Sequence, residues 1–79
     1  MDKKFKKIKD DILGKEYELS LVFAKDSIMK KLNLTYRKKN KSTNVLSFSL
    51  SENEGEIFIR ESDKKDALFL FIHSLLHLK

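Results

Sequence analysis

The stretch "NVLSFSLSENEGEIFI", residues 44–59, contains two runs in which apolar and polar residues alternate. In the first run Leu46, Phe48 and Leu50 share one face, and the second run, "GEIFI" at residues 55–59, has the same period of two. Successive side chains of a strand point to opposite faces of a sheet, so the pattern predicts two strands that each bury one face. The few polar residues between the runs permit an antiparallel hairpin and leave a longer connection open.

Two further elements are predicted before this pair. Residues 3–13, "KKFKKIKDDIL", place apolar side chains at spacings of three and four, which predicts an amphipathic helix that ends at Gly14. Residues 17–24, "YELSLVFA", alternate again and are rich in β-forming residues, which predicts a strand. Its apolar face is expected to hold Tyr17, Leu19, Leu21 and Phe23.

A second helix is predicted over residues 26–36, between this strand and the pair. Asp26 or Ser27 is expected to cap its first turn, since short polar side chains accept hydrogen bonds from free N–H groups there. Its buried face is expected to hold three apolar residues spaced by four and one beside them, Ile28, Leu32, Tyr36 and Met29.

The last helix is predicted from "SDKKDALFLFIHSLLHLK", residues 62–79, with Ser62 or Asp63 as its cap. From Ala67 to Leu78 it is apolar nearly all round, so it should lie in a core or against a sheet and another helix together. The other predicted elements are too few to cover it, and the apolar face left over would favour a homodimer or aggregation. The elements together predict one α+β domain over residues 1–79, with a small mixed sheet of about three strands packed on helices.

Composition limits the possible functions. The chain has 79 residues, of which 41% are hydrophobic and 37% charged, which is typical of a small folded domain. It has no cysteine, which excludes disulfides and fits a reducing compartment. No apolar stretch has the length of a signal peptide core or a transmembrane helix, so a cytoplasmic location is expected.

A net charge of +5 favours a polyanionic partner such as RNA or DNA, although a lysine-rich surface without such a role explains the composition equally well. The cations are concentrated in two stretches. One holds Lys30, Lys31, Arg37, Lys38, Lys39 and Lys41, and the other holds Lys3, Lys4, Lys6, Lys7 and Lys9.

His73 and His77 are the only histidines of the chain, and they lie four positions apart in the last predicted helix. Residues at this spacing lie on one helix face, so both imidazoles can reach one metal ion. The pair equally fits two ordinary histidines that flank a core. A catalytic zinc site normally takes three protein ligands, and Ser74 stands where HExxH metallopeptidases have glutamate, so a peptidase is disfavoured.

Four blocks give this pair a context. They are "LNLTYR" at residues 32–37, "TNVLSF" at 43–48, "GEIFI" at 55–59 and "HSLLHL" at 73–78. Their order and spacing resemble the YbeY family, the bacterial rRNA maturation factors that act as zinc-dependent endoribonucleases. The resemblance implies hydrolysis of single-stranded RNA, with roles in processing the 3′ end of 16S rRNA and in ribosome quality control.

The resemblance also implies a set of site residues. His73 and His77 match zinc ligands carried on a central, C-terminal helix, with one zinc ion per chain. Arg37 matches an arginine that faces the metal and contacts RNA phosphate, and it is the expected catalytic residue. Substrate contacts are expected from Arg37, Lys38, Lys39, Lys41, Asn44 and Ser47, with Thr43 in the same block. The implied partners are rRNA and ribosomal proteins, with no membrane.

The sequence departs from the family pattern in two places. Ser74 replaces a usual glycine, which is a small change. The family's third zinc histidine lies six residues beyond the second, whereas this sequence ends two residues beyond His77. The chain is therefore expected to be a truncated domain with weak or absent catalysis. Two alternatives remain open, a non-catalytic RNA-binding or ribosome-associated module and a degraded pseudogene product.

Overall fold

The fold has three α-helices and one three-stranded sheet. The computed structural model describes all residues 1–79. In chain order the elements are α1 (Lys3–Leu13), β1 (Glu18–Ala24), α2 (Asp26–Arg37), β2 (Val45–Ser51), β3 (Glu54–Arg60), a 3₁₀ helix (Glu61–Asp66) and α3 (Ala67–Leu78). The predicted α+β class is confirmed. No helix combines the length and apolar character needed to cross a membrane.

The sheet is mixed, with strand order β1-β3-β2. β2 and β3 are antiparallel and are connected by Glu52 and Asn53 alone. The sequence permitted either a hairpin or a longer connection, and the structure has the hairpin. β1 runs parallel to β3, with Leu21 opposite Ile57. Two parallel strands must be joined by a long crossover connection, and here α2 and β2 form that connection between β1 and β3. Because β3 is the central strand of the sheet, β2 lies at an edge.

Each face of the sheet has its own apolar cluster. On one face Ile57 and Ile59 of β3 pack with Phe71 and Leu75 of α3, and all four are fully buried. α1 closes this side, where the Phe5 and Phe71 rings meet edge to face with centroids 4.8 Å apart. On the other face α2 packs on β2 and β3 around a smaller cluster, Ala24, Met29 and Leu46. The last helix thus lies against a sheet and another helix, as its composition predicts.

α1 ends at Gly14, as predicted, but one residue of its basic stretch is not on the surface. Lys9 is 5% exposed and pairs with Asp10 at 2.5 Å. Its ammonium donates hydrogen bonds to three backbone carbonyl oxygens, those of Gly14 (3.2 Å), Lys15 (3.5 Å) and Tyr17 (2.9 Å). Lys9 therefore does not add to the exposed charge of its basic stretch, because its ammonium holds the connection between α1 and β1.

The predicted buried face of α2 is correct for Met29 and for the partly buried Leu32, and wrong for Ile28 and Tyr36. Ile28 and Tyr36 are 46% and 65% exposed, whereas Met29 and Asn33 are buried. The Asn33 amide donates to the Lys41 carbonyl oxygen at 2.9 Å, so a polar residue takes a core position by satisfying the loop that follows the helix. The helix ends at Arg37, followed by Lys38 in the left-handed conformation with φ 60°.

The predicted helix caps differ from those observed. Lys25 is the N-cap of α2, while Asp26 accepts hydrogen bonds from Ser42 (2.7 Å) and Arg60 (3.0 Å). At the other end of the same network Asp63 pairs with Arg60 at 2.6 Å instead of capping α3. The 3₁₀ helix therefore precedes α3, which begins at Ala67 without a side-chain cap. These ion pairs outweigh capping because they join β3, α2 and the intervening loop.

Candidate functional site

A polar cleft lies between α3, the edge strand β2 and the end of α2. Its volume is about 450 Å³. We call it the histidine cleft. Nine residues line it, namely Arg37, Thr43, Val45, Ser47, Ser49, His73, Ser74, His77 and Leu78. Only two of the nine are hydrophobic, so the cleft suits a charged or strongly hydrated ligand.

The two histidines converge at the rim of this cleft. Both are exposed members of α3, and the spacing of four places one imidazole a turn above the other. Their Nε2 atoms lie 3.2 Å apart, with ring centroids 4.8 Å apart and nearly perpendicular ring planes. The Phe69 ring lies parallel to His73 at 6.3 Å between centroids. The side chains are therefore packed toward a common point instead of diverging into solvent.

The residue between them explains how the helix comes so close to the sheet. Ser74 is 2% exposed and faces the cleft beside His73 and His77. A side chain this small allows α3 to approach β2, the strand that supplies the opposite wall.

Arg37 is the cation of the cleft. It is the last residue of α2, and it is exposed and forms no ion pair with a carboxylate. Across from it, Thr43 is held by a hydrogen bond from its hydroxyl to the Val45 carbonyl oxygen at 3.3 Å. Ser47 follows on β2. The cleft thus brings Arg37 and Thr43, which precede the hairpin, and Ser47 of its first strand together with the histidines of α3.

Four of the expected substrate-binding residues lie outside the lining of the cleft. Lys38 and Lys39 follow the end of α2 as exposed side chains. Lys41 is exposed, and its carbonyl oxygen accepts the Asn33 hydrogen bond. Asn44 is exposed as well, and its carbonyl oxygen accepts from the Arg60 N–H at 2.9 Å. These four residues are exposed but do not line the cleft.

Sequence reasoning missed two polar positions of the lining. Ser49 and the buried Ser74 both face the cleft. The signal for Ser49 was available, because it follows Ser47 by two on a strand and therefore shares its face.

The donor set supports a metal only in part. Two nitrogen ligands about 2.0–2.1 Å from a tetrahedral zinc ion lie about 3.3 Å apart, close to the 3.2 Å between the two Nε2 atoms. Imidazole is also a preferred zinc ligand. However, no group of three His, Cys, Asp or Glu residues in the chain could hold an ion together. The pair fits as two ligands of a site whose third ligand these 79 residues do not supply.

A mixed sheet flanked by helices, with a histidine pair and an unpaired arginine at one polar cleft, defines the class as a small α+β domain with a histidine-lined cleft. The family model described as endoribonuclease YbeY matches residues 1–79. The chain belongs to the YbeY family, which confirms the resemblance carried by the four sequence blocks.

Individual relatives agree with this assignment. The endoribonuclease YbeY of Finegoldia magna is 35% identical over 81 positions, which cover 78% of this chain and 53% of the relative. That of Ehrlichia chaffeensis is 39% identical over 77 positions, with 76% and 50% covered. That of Ehrlichia canis is 48% identical over 46 positions, with 52% and 30% covered. The chain spans about half the length, or less, of the curated relatives it matches.

Proposed function

We propose that this chain binds single-stranded RNA in the histidine cleft and takes part in zinc-dependent endoribonuclease activity. Its setting would be rRNA maturation in the cytoplasm, including the 3′ end of 16S rRNA, and ribosome quality control. The observation that carries the proposal is the convergence of His73, His77 and an unpaired Arg37 at one polar cleft. Membership in a family whose relatives are named endoribonucleases supports the reaction type.

The residues of the cleft have complementary roles in this proposal. His73 and His77 would hold the zinc ion, which when bound supplies Lewis-acid activation of water and of a phosphoryl oxygen. Arg37 offers a planar fork that can hold two phosphate oxygens and offset charge that develops during hydrolysis. The Ser47 hydroxyl can donate to a remaining phosphate oxygen, and the Thr43 hydroxyl can do so if it gives up its hydrogen bond to the Val45 carbonyl oxygen.

The chain itself does not supply a third zinc ligand, so the proposal needs one from another source. A second copy is one source, because Phe69 and Leu76 of α3 are 72% and 60% exposed and border the histidines. Packing of two α3 helices there would bring two histidine pairs close together. Ribosomal proteins are proposed as further partners, and they would meet the basic surface around Lys38 and Lys39.

A second candidate function is a non-catalytic RNA-binding module. The count of metal donors favours it, since two histidines alone bind zinc more weakly than a complete site. In that case the basic surface and the cleft would bind RNA without cleaving it.

The experiment that separates the two functions follows cleavage and binding of a 5′-labelled single-stranded RNA while zinc is titrated. Catalysis predicts zinc-dependent cleavage products that decrease in Arg37→Gln and remain low in Arg37→Lys, because an ammonium lacks the bidentate fork. Lys31→Gln, an exposed cation of the same helix that does not line the cleft, is the matched control. Binding without products at any zinc concentration would support the module. Absence of both would contradict the proposed function.

A further inference from the structure

A second groove lies on the opposite side of the edge strand β2. It has a volume of about 310 Å³ and is lined mainly by apolar side chains. We call it the aromatic groove. Its lining consists of Leu32, Tyr36, Phe48, Ser49, Leu50, Glu56 and Phe58. It lies between the C-terminal half of α2 and the β2–β3 hairpin.

Three aromatic rings form a connected row along this groove. Tyr36 meets Phe48 at 5.1 Å between ring centroids with an interplanar angle of 62°. Phe48 in turn meets Phe58 at 5.9 Å and 76°. Edge-to-face contacts of this kind fix ring orientation and contribute beyond area burial. Tyr36 nevertheless keeps 65% of its surface exposed, so a ring held in place by its neighbours remains open to a ligand.

The charges around the groove indicate which part of a ligand would contact the ring. Arg37, Lys38 and Lys39 follow Tyr36 directly, are exposed and form no ion pairs. Glu56, in contrast, lies in the groove itself. A phosphate is attracted to the three cations and repelled by this carboxylate. The groove therefore suits the uncharged base of a nucleotide whose phosphates lie on the basic side.

The two clefts are connected across β2. Ser49 lines both of them, because it lies on the edge strand that separates them. Tyr36 and Arg37 repeat this arrangement at the end of α2, since Tyr36 lines the aromatic groove and Arg37 the histidine cleft. A strand of nucleic acid with a phosphate at Arg37 can therefore place a neighbouring base at Tyr36.

We propose that Tyr36 is a stacking platform for one base of single-stranded RNA, adjacent to the phosphate held at Arg37. The proposal rests on the proposed function, because it assumes that RNA occupies the histidine cleft. Every base has a π-face, so the platform would be tolerant of sequence. In a duplex the bases are stacked on each other, so the platform would select for unpaired RNA.

The chain offers a direct reporter for this test. It has no tryptophan and only two tyrosines, of which Tyr17 is buried. Tyr36→Trp therefore places a single indole at the proposed platform, and stacking of a base should quench its fluorescence. We expect quenching by a single-stranded oligoribonucleotide and little quenching by the same sequence as a duplex.

Affinity measurements add a second readout. Tyr36→Ala should weaken binding of the single strand by roughly tenfold, whereas Tyr36→Phe should retain it, since stacking needs the ring and not the hydroxyl. Leu34→Ala is the matched control, because Leu34 is an exposed apolar residue of α2 outside the groove. An oligonucleotide with abasic positions should lose affinity for the original chain but not for Tyr36→Ala.

The outcomes separate this inference from the function on which it rests. RNA binding that is unchanged in Tyr36→Ala, or an indole at position 36 that RNA does not quench, would overturn the stacking platform and leave the RNA-binding function in place. Failure of the original chain to bind RNA would overturn both. If Tyr36→Ala does not fold by circular dichroism, the fluorescence of Tyr36→Trp still decides the question.

Discussion

The Nε2 atoms of His73 and His77 lie 3.2 Å from each other at the rim of a cleft whose opposite wall is the serine face of β2. The spacing arises from one turn of α3, and the position of the helix is fixed by Phe71 and Leu75, which are fully buried against the sheet. The core fixes the position of α3, and α3 fixes the positions of the two imidazoles. The pair is therefore oriented before a ligand binds. In the proposed function, this preorganisation would lower the cost of binding a zinc ion.

The buried ammonium of Lys9 should be a major contributor to stability. Lys9→Met keeps most of the side-chain volume but leaves the Gly14 and Tyr17 carbonyl oxygens without their donor, and we expect a loss of about 1–3 kcal/mol in the free energy of unfolding. Lys7→Met is the matched control, because Lys7 is exposed and forms only an i,i+4 pair with Asp11. It should cost less than about 0.5 kcal/mol. Urea unfolding followed by circular dichroism measures both, and equal losses would contradict the structural role of Lys9.

Gly55 and Tyr17 should be energetically coupled. A Cβ at Gly55 would lie 2.5 Å from the Tyr17 hydroxyl and 3.1 Å from the Phe48 carbonyl oxygen, so Gly55→Ala should destabilise the fold by about 1–3 kcal/mol. The hydroxyl is buried without a hydrogen-bond partner, and burial together with the charge of Glu54 raises the pKa of Tyr17. Tyr17→Phe alone should therefore be neutral or stabilising.

The coupling is measured by a double-mutant cycle. Gly55→Ala should cost less in the Tyr17→Phe background than in the original chain, because the nearest clashing atom has been removed. Thermal or urea unfolding of the four proteins provides the comparison. An unchanged cost of Gly55→Ala would mean that the Phe48 backbone, and not the hydroxyl, sets the limit.

Acid stability should depend on Asp26. Hydrogen bonds from Ser42 and then from Arg60 hold the pKa of the Asp26 carboxyl below its ordinary value. A carboxyl with a lowered folded-state pKa contributes stability that is present above its unfolded pKa and lost as pH falls through the folded value. We expect Asp26→Asn to flatten the decline of stability below about pH 4. Unfolding curves between pH 2 and 7 test this.

Glu52→Gln is the control for net charge in that series. It removes one carboxylate from the exposed β2–β3 turn, where Glu52 forms no ion pair. A decline as steep in Asp26→Asn as in the original chain would show that the Ser42 and Arg60 contacts do not stabilise the folded state.

The exposed lysines beyond α2 should contribute to RNA binding through charge alone. Combined Lys39→Gln and Lys41→Gln should weaken binding of single-stranded RNA and reduce the slope of log K against log salt by about 0.7 for each lost phosphate contact. Lys7→Gln, on α1, should leave the slope unchanged. Anisotropy titrations at several salt concentrations measure the slopes, and equal slopes for all variants would place the RNA elsewhere.

Local pattern predicted most of the elements. The alternation in residues 44–59 correctly predicted β2 and β3 but left their connection open, and the spacing of Phe5, Ile8 and Ile12 gave the correct α1 with its end at Gly14. These features depend on neighbours in sequence, which is why periodicity was sufficient.

Contacts with other segments of the chain decide the features that the sequence did not predict. The spacing of Ile28 and Tyr36 fits a buried stripe, but both are exposed, and the burial of Asn33 depends on the Lys41 carbonyl oxygen of the following loop. The buried Lys9 could not be distinguished from its exposed neighbours, because its partners are backbone carbonyls with no sequence signature.

The candidate site also combines features that local spacing predicts with features that depend on distant segments. The convergence of His73 and His77 follows from helical spacing, whereas the presence of Arg37 in the same cleft joins distant segments and was expected only from the family resemblance. The row of Tyr36, Phe48 and Phe58 was not predicted either, since these rings come together only after α2 packs on the hairpin.

The central claim, that the histidine pair is a metal-binding unit, is tested most directly by calorimetric titration of the folded chain with zinc. We predict measurable binding that is abolished in His73→Ala and in His77→Ala and retained in Lys65→Ala, an exposed residue of the 3₁₀ helix that does not line the cleft. Circular dichroism confirms that each variant is folded. Zinc binding that persists in both histidine variants, or its absence from the original chain at every concentration tested, would contradict the claim.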